Sequence, residues 1–434
     1  TINRAITTNG GSVNFDAGDD ISIESNINTG GGTATFRADD QFHVDSGRSV
    51  TTGGGSLAVF ADAFDLDGTM NAGAGSITIA REDDTGRISI GDANGGMEIS
   101  QAELNRMTAG SLNFGQSGFG SHDNDIMVED ADLDAFATVT LRTRRDDSSS
   151  SQDVVFDGTN YVANLNVFSD DEVELDNNAR LSSIGDITLT GNTNGLSSGN
   201  FHMDNGSRID TNGHNLMTVA LNTIIDDDAY ITAEGGNISL FSNGTFYSDD
   251  ANSVRTSGHG TITINQNVGG SIQNAIDAVQ NTGDGLNTIN VGAGTFHESV
   301  NVYEDNFVLN GAANHATVID PNSPGFNVTG NNATINGFTI TGTSGADGFG
   351  IFVNGGNNAT LQNNVINNTS ANAIQIVNSN GTHVLNNFIG YTNPTTVGAV
   401  QNIHGDGIYA SNTNGLVVTG NKITRTKSMA WDNG

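Results

Sequence analysis

Short runs of alternating apolar and polar residues recur along the chain. Four of them open it almost in register: Gly11-Ser12-Val13-Asn14-Phe15, Gly32-Thr33-Ala34-Thr35-Phe36, Gly55-Ser56-Leu57-Ala58-Val59 and Gly75-Ser76-Ile77-Thr78-Ile79. A period of two marks a β-strand with one buried face. The leading glycines stand 21, 23 and 20 residues apart, which is the length of one coil of a parallel β-solenoid and too short for paired-helix repeats or propeller blades. Each repeat divides into three strands. The first coil reads Ser12-Val13-Asn14-Phe15, then Asp20-Ile21-Ser22-Ile23, then Asn26-Ile27-Asn28, with Gly or Asp at the corners. Such a unit cannot bury its apolar face alone and gains a core only by stacking on its neighbours. The expected fold is therefore all-β, a parallel β-helix. At about 22 residues and ~4.8 Å per coil, the chain would make roughly 20 coils and a rod on the order of 95 Å.

The pattern predicts several local features. Stacking puts Phe15, Phe36 and Phe60 in similar places as an internal aromatic ladder. A short helical turn is expected over Ala102-Glu103-Leu104-Asn105-Arg106-Met107, and an exposed loop from Arg144 to Gln152. Strands resume at Ile187, Leu216, Ile238 and Ile262. At Gly269-Gly270 the pattern changes. Ile272, Ala275, Ile276 and Val279 follow a Ser271 N-cap at helical spacing, predicting one short capping-type α-helix near residues 271–280. The coils beyond it are rich in Asn, as in Asn332-Ala333-Thr334-Ile335 and Asn358-Ala359-Thr360-Leu361. Asn side chains stacked at turns can hydrogen-bond along the axis. The expected division is residues 1–268 and 269–434.

Composition narrows the functional classes. Acidic residues number 49 against 15 Lys plus Arg, a net charge of −34, and 28 of the excess negative charges precede residue 269. A polyanion of this kind is expected to bind neither nucleic acid nor anionic lipid through its bulk field. Cysteine is absent, so no disulfide is expected, and no apolar run reaches the ~18 residues of a membrane span. The lack of an initial Met or signal-like segment leads to the expectation that the chain is a piece of something longer.

Two resemblances follow from these residues. The Gly-Gly-Ser-aliphatic openings, the Ala-Asp-Asp corners and the stretch from Thr85 to Gly115 resemble the filamentous-haemagglutinin type of secreted bacterial exoprotein over residues 1–268. The helix at Ser271 and the strand from Thr288 to Val300, with the Asn-rich coils behind them, resemble pectate-lyase-like β-helices over residues 269–434. The resemblances imply a right-handed parallel β-helix and an extracellular or cell-surface adhesin. The open strand edges of a β-helix end lead to the expectation of further coils or other copies as partners end to end, and strand faces bearing Asn, Thr and aromatic residues to that of glycans or cell surfaces.

The sharpest chemical feature is an acidic column. Counting seven residues on from the second residue of each early repeat reaches Asp19, Asp40, the neighbour of Asp62, and Asp83, with Asp20, Asp39 and Asp84 alongside. Carboxylates on adjacent coils, about 5 Å apart, repel by about 1 kcal/mol in water and roughly 3 at an effective dielectric near 20. Calcium, a hard cation served by several oxygens, is the natural offset. The alternative is that these Asp side chains splay into solvent at turns they favour. Asp226-Asp227-Asp228 and Asp249-Asp250 repeat the theme.

No enzyme is demanded by the sequence. An alternative is a carbohydrate-active module, lyase, hydrolase or glycan binder, in residues 269–434. Its catalytic form would need Asp347, His404, Asp406 and Arg425 to converge, and its binding form would use exposed Asn and Thr with Phe349, Tyr391 and Tyr409. Ser257-Gly258-His259-Gly260 has the Gly-His-Gly of polygalacturonases without their Asp-Asp and Arg-Ile-Lys partners. His297 beside Glu298 is expected to pack rather than to catalyse.

Overall fold

A computed structural model describes residues 1–82, 85–115, 123–143, 152–191, 199–267, 269–321, 324–343, 348–390 and 405–424. Half of the chain is strand and 3% is helix. The strands pair in parallel, coil upon coil, as a right-handed β-solenoid. Contacts divide the chain into two compact units, Thr1–Ile238 and Ser239–Gly434. The compositional change at Gly269 lies inside the second. Among the described residues no helix is long and apolar enough to cross a membrane.

In the first unit the Gly-led segments stack as the sequence predicts. Val13–Ala17 pairs with Ala34–Ala38, which pairs with Leu57–Phe60, then Ser76–Ala80, then Ser111–Phe114. Their inward residues Leu57, Val59, Ile77 and Ile79 are fully buried. The leading glycines are required by the close approach of successive coils, because a Cβ on Gly32 would collide with the Gly11 carbonyl and one on Gly55 with that of Gly32. Two further faces carry Ile21–Ile23, Gln41–Val44 and Ala63–Leu66, and Ile27–Asn28, Ser49–Thr51 and Thr69–Asn71.

The aromatic ladder differs from the expected one. Phe15 and Phe36 stack in register, with ring centroids 5.5 Å apart, but Phe36 lies over Val59. Phe60 falls opposite Arg37, whose guanidinium sits 4.6 Å from its ring. Strand parity is the reason: one residue past Val59 the side chain turns to the other face of the sheet. The interior ladder turns the corner instead, from Phe36 to Phe42 and on to Phe64.

The predicted interruption of the coil is a helix, Gln101–Leu104, started by a capping box in which Ser100 and Glu103 satisfy each other's backbone N–H. Glu103 also accepts from the Leu66 N–H at 2.9 Å, fixing the helix to the previous coil. Residues 144–151 of the expected loop lie outside the described residues.

In the second unit three parallel sheets form the sides. One runs from Ile262–Gln266 through Asn287–Val291, Phe307–Gly311 and Thr334–Asn336 to Val417–Thr419. The second runs from Gly294–Phe296 to Lys422–Ile423, and the third from Val300–Val302 to Ile408–Ser411. The helix Ile272–Asp277 buries Ile272, Ala275 and Ile276, as predicted from their spacing. Ile262–Gln266 before it pairs with Asn287–Val291 after it, so the stack runs through this coil. On the helix's own face, side-chain amides replace the backbone ladder. Asn274 donates to Ser248 O and accepts from Ser248 N, and Gln273 donates to Asn301 O and accepts from Asn301 N. One N–H and one C=O of each neighbouring strand, those of Ser248 and Asn301, are thereby satisfied.

The Asn-rich coils build ladders. Asn306, Asn332 and Asn358 occupy the left-handed region at φ 58°, 57° and 56°, which Asn tolerates better than other side-chain-bearing residues. Asn332 Nδ2 donates to Asn306 Oδ1 at 2.9 Å, and Asn358 Nδ2 to Asn332 Oδ1 at 3.2 Å. A buried ladder joins Asn364, Asn387 and Asn421, with Asn387 Oδ1 accepting from both the backbone and side-chain N–H of Asn364. Replacing Asn387 by Ala strands these donors inside the core, at a cost on the order of 3 kcal/mol. Urea or thermal unfolding should show that loss, and wild-type stability in the variant would remove the ladder from the list of stabilising interactions.

Candidate cation-binding columns

Parallel stacking brings carboxylates at equivalent corners of successive coils together. Asp19 and Asp20 follow one strand and Asp40 follows its neighbour above. One carboxylate oxygen from each comes within 4.8 Å of the other two, and all three residues are exposed. Asp20 Oδ1 accepts from the Gln41 N–H at 3.1 Å and is held against the next coil. Among the described residues no Arg, Lys or His pairs with these three. The set is all-oxygen, the chemistry that suits calcium.

The remaining members of the predicted column differ. The Asp39 backbone N–H donates to Ala17 O, and its carboxylate lies beside Gly18. Asp62 faces Arg81, whose Nη2 is 3.8 Å from its carboxylate and whose Nη1 donates to its carbonyl. An internal cation therefore answers the charge at that level. Asp83 and Asp84 lie outside the described residues.

A second cluster lies on the sheet formed by Val154–Asp157, Val173–Leu175, Phe201–Met203 and Thr223–Ile225. Glu174 and His202 are in register on its outer face. His202 Nε2 lies 3.2 Å from both Asp204 and Asp226, and its Nδ1 is 3.8 Å from Glu172. Glu174, His202 and Asp204 offer ligand atoms mutually within 4.8 Å, a mixed imidazole and carboxylate set suited to zinc or manganese. At the leading corner, Asp125 accepts from the Asp153 N–H and Asp153 accepts from the Glu172 N–H. Burial, with the charges of Asp125, Asp171 and Glu172 adding to it, pushes Asp153 up to about 6 against the pull of that last hydrogen bond. Burial also raises Glu172, Glu174 and Asp204.

A third arrangement sets an imidazole between two carboxylates. His43 Nδ1 is 2.8 Å from Asp65 and Nε2 is 2.8 Å from Asp45. Burial alone would lower its pKa, but the hydrogen bond to Asp45 and the charge of Asp65 outweigh it and raise the group. An imidazolium donates from both nitrogens and so braces two carboxylates on adjacent coils.

Sequence reasoning missed His43, His202 and Glu174. The signal present is an outward residue two before a corner Asp, as in His43-Val44-Asp45 and His202-Met203-Asp204. Asp226 joins the His202 cluster, whereas Asp249 accepts from the Tyr247 hydroxyl. Of the residues weighed for catalysis, Asp347, His404 and Arg425 lie outside the described residues, as does Tyr391. The Asp406 backbone N–H donates to Asn372 Oδ1 at 2.7 Å. His259 is 93% exposed and pairs with Asp284. His297, expected to pack, is 72% exposed beside Asp320 because it sits at a corner. Glu298 caps the helix, accepting from Ser271 Oγ and from the Ile272 and Gln273 N–H groups.

No protein family, curated protein or solved structure matches the chain.

The raised carboxyl groups bind more protons in the folded than in the unfolded chain. For Asp153 the resulting contribution to stability is complete below about pH 4 and lost as pH rises through about 6, and for Glu172, Glu174 and Asp204 it is likewise lost as pH rises above their ordinary values. The raised His43 acts in the same direction, contributing below its unfolded value and losing that contribution as pH climbs through the folded one. In chelator, the thermal midpoint should fall as pH rises from about 4 through about 6, and millimolar calcium should restore it at the upper end. A midpoint that climbs with pH in chelator would contradict this assignment.

Proposed function

We propose that the chain is a section of an extracellular structural or adhesive fibre, built from an acidic haemagglutinin-like β-helix over residues 1–268 and a pectate-lyase-like one over 269–434. Its acidic corners are braced by divalent cations, calcium foremost. The observation that carries this reading is the convergence of Asp19, Asp20 and Asp40 from successive coils, with no cationic side chain among the described residues to answer them. Outside cells, calcium is abundant enough for a weak, exposed, all-oxygen site to fill. The stacked architecture favours a passive role, because each coil presents parallel strand edges to the next and accepts continuation by more chain or by another copy.

Electron microscopy of the purified protein, with calcium and with chelator, tests this. The expected result is regular filaments that fray on chelation, with the same fraying in Asp40→Asn without chelator. Isolated particles indifferent to both treatments would overturn the reading.

A further inference from the structure

The third sheet of the second unit carries an unusual outward column. In register on five successive coils stand Asn301, Asn327, Phe352, Gln375 and Tyr409. Their strand neighbours Val300, Phe326, Val328, Ile351, Ile374 and Ile376 are buried, so the column faces out. Asn327 Nδ2 donates to Asn301 Oδ1 at 3.1 Å, beginning a ladder like those elsewhere in the unit. The ladder stops there, because the next coil offers a ring where the others offer an amide. Asn327 Oδ1 has no donor among the described residues.

Beside this break lies a groove of about 430 Å³, lined chiefly by Asn301, Asn327, Asn354, Pro324, Phe349 and Phe352. The two phenyl rings are 5.1 Å apart and inclined at 40°. Further along the column, Gln375 Oε1 accepts from Asn372, leaving Nε2 as a donor, and Tyr409 is 41% exposed. Among the described residues the groove lining carries no charge, in a chain whose net charge is −34.

We infer that this face binds a neutral polysaccharide laid along the solenoid axis, with Phe352, Phe349 and Tyr409 stacking against the apolar faces of sugar rings. Asn327, Asn354 and Gln375 bond its hydroxyls. The chemistry is that of an apolar platform with a few convergent polar groups. Carboxamides donate and accept at once, matching hydroxyls, which do the same. The coil rise of about 4.8 Å is close to the advance of one pyranose ring, so successive coils meet successive sugars. The uncharged lining selects against uronic-acid polymers, which the field of the chain also repels.

This inference extends the adhesive half of the proposed function, and its test is separable from chelation. Affinity electrophoresis through gels containing laminarin, dextran, galactomannan or polygalacturonate reads binding directly. The expected result is retardation by at least one neutral polymer, in calcium and in chelator alike. It should weaken about tenfold in Phe352→Leu, a substitution that keeps an apolar side chain but removes the ring, and persist in Tyr161→Ala, an exposed position of the first unit. Phe352→Ala should show at least the same loss with an unchanged circular dichroism spectrum. Retardation by none of the neutral polymers, by polygalacturonate alone, or to the same degree in Phe352→Leu would overturn the inference. Loss of filaments on chelation with sugar binding intact would leave it standing.

Discussion

Every property of this molecule depends on parallel, in-register stacking. A residue on one coil lies over its counterpart on the next at the spacing of neighbouring strands, about 4.8 Å. Whatever the side chain is, the fold repeats it. Leu57 over Ala34 and Ile77 over Leu57 make a core, Asn332 over Asn306 makes a hydrogen-bonded ladder, and Asp40 over Asp19 and Asp20 makes a concentration of negative charge. The first two are gains and the third is a cost. The same geometry produces all three.

The first unit answers that cost level by level with few cations. Arg37 holds Glu82 at 2.6 Å, Arg81 faces Asp62, Arg208 holds Asp210 at 2.9 Å, and His43 bridges Asp45 and Asp65. Exposed pairs of this kind contribute little to stability one at a time. Their value here is placement, since each relieves a repulsion that stacking makes unavoidable. Where no such residue stands among the described ones, as at Asp19, Asp20 and Asp40, the corner gathers carboxylate oxygens.

Much of the fold was legible because it is local and periodic. The 20 to 23-residue period, the Gly-led strands and the Ser271 helix could be read from spacing within a single repeat. Asp19, Asp20 and Asp40 were legible for the same reason. What escaped was set by parity and by coil length. Phe60 follows Phe36 in repeat order yet turns to the other face, and Asp62 meets Arg81, a residue 19 positions on. His202 gathers Glu172 from the coil before and Asp226 from the coil after, across coils of unequal length that no fixed period aligns. The break in the Asn301–Asn327 ladder was equally hidden, because its meaning lies in which residue the register places next.

The coil that contains the helix Ile272–Asp277 is held differently on its three faces. Backbone ladders join it to its neighbours through Val254–Thr256 with Val279–Asn281, and through Ile262–Gln266 with Asn287–Val291. On the helix face, four hydrogen bonds from two side chains make the connection. Side-chain torsions are softer than a strand backbone, so the resistance to pulling is uneven around the circumference. Under tension the solenoid would open on the helix side while the other two faces still hold, turning an axial load into a bend. A single short helix thus gives an otherwise stiff stack a direction in which to flex.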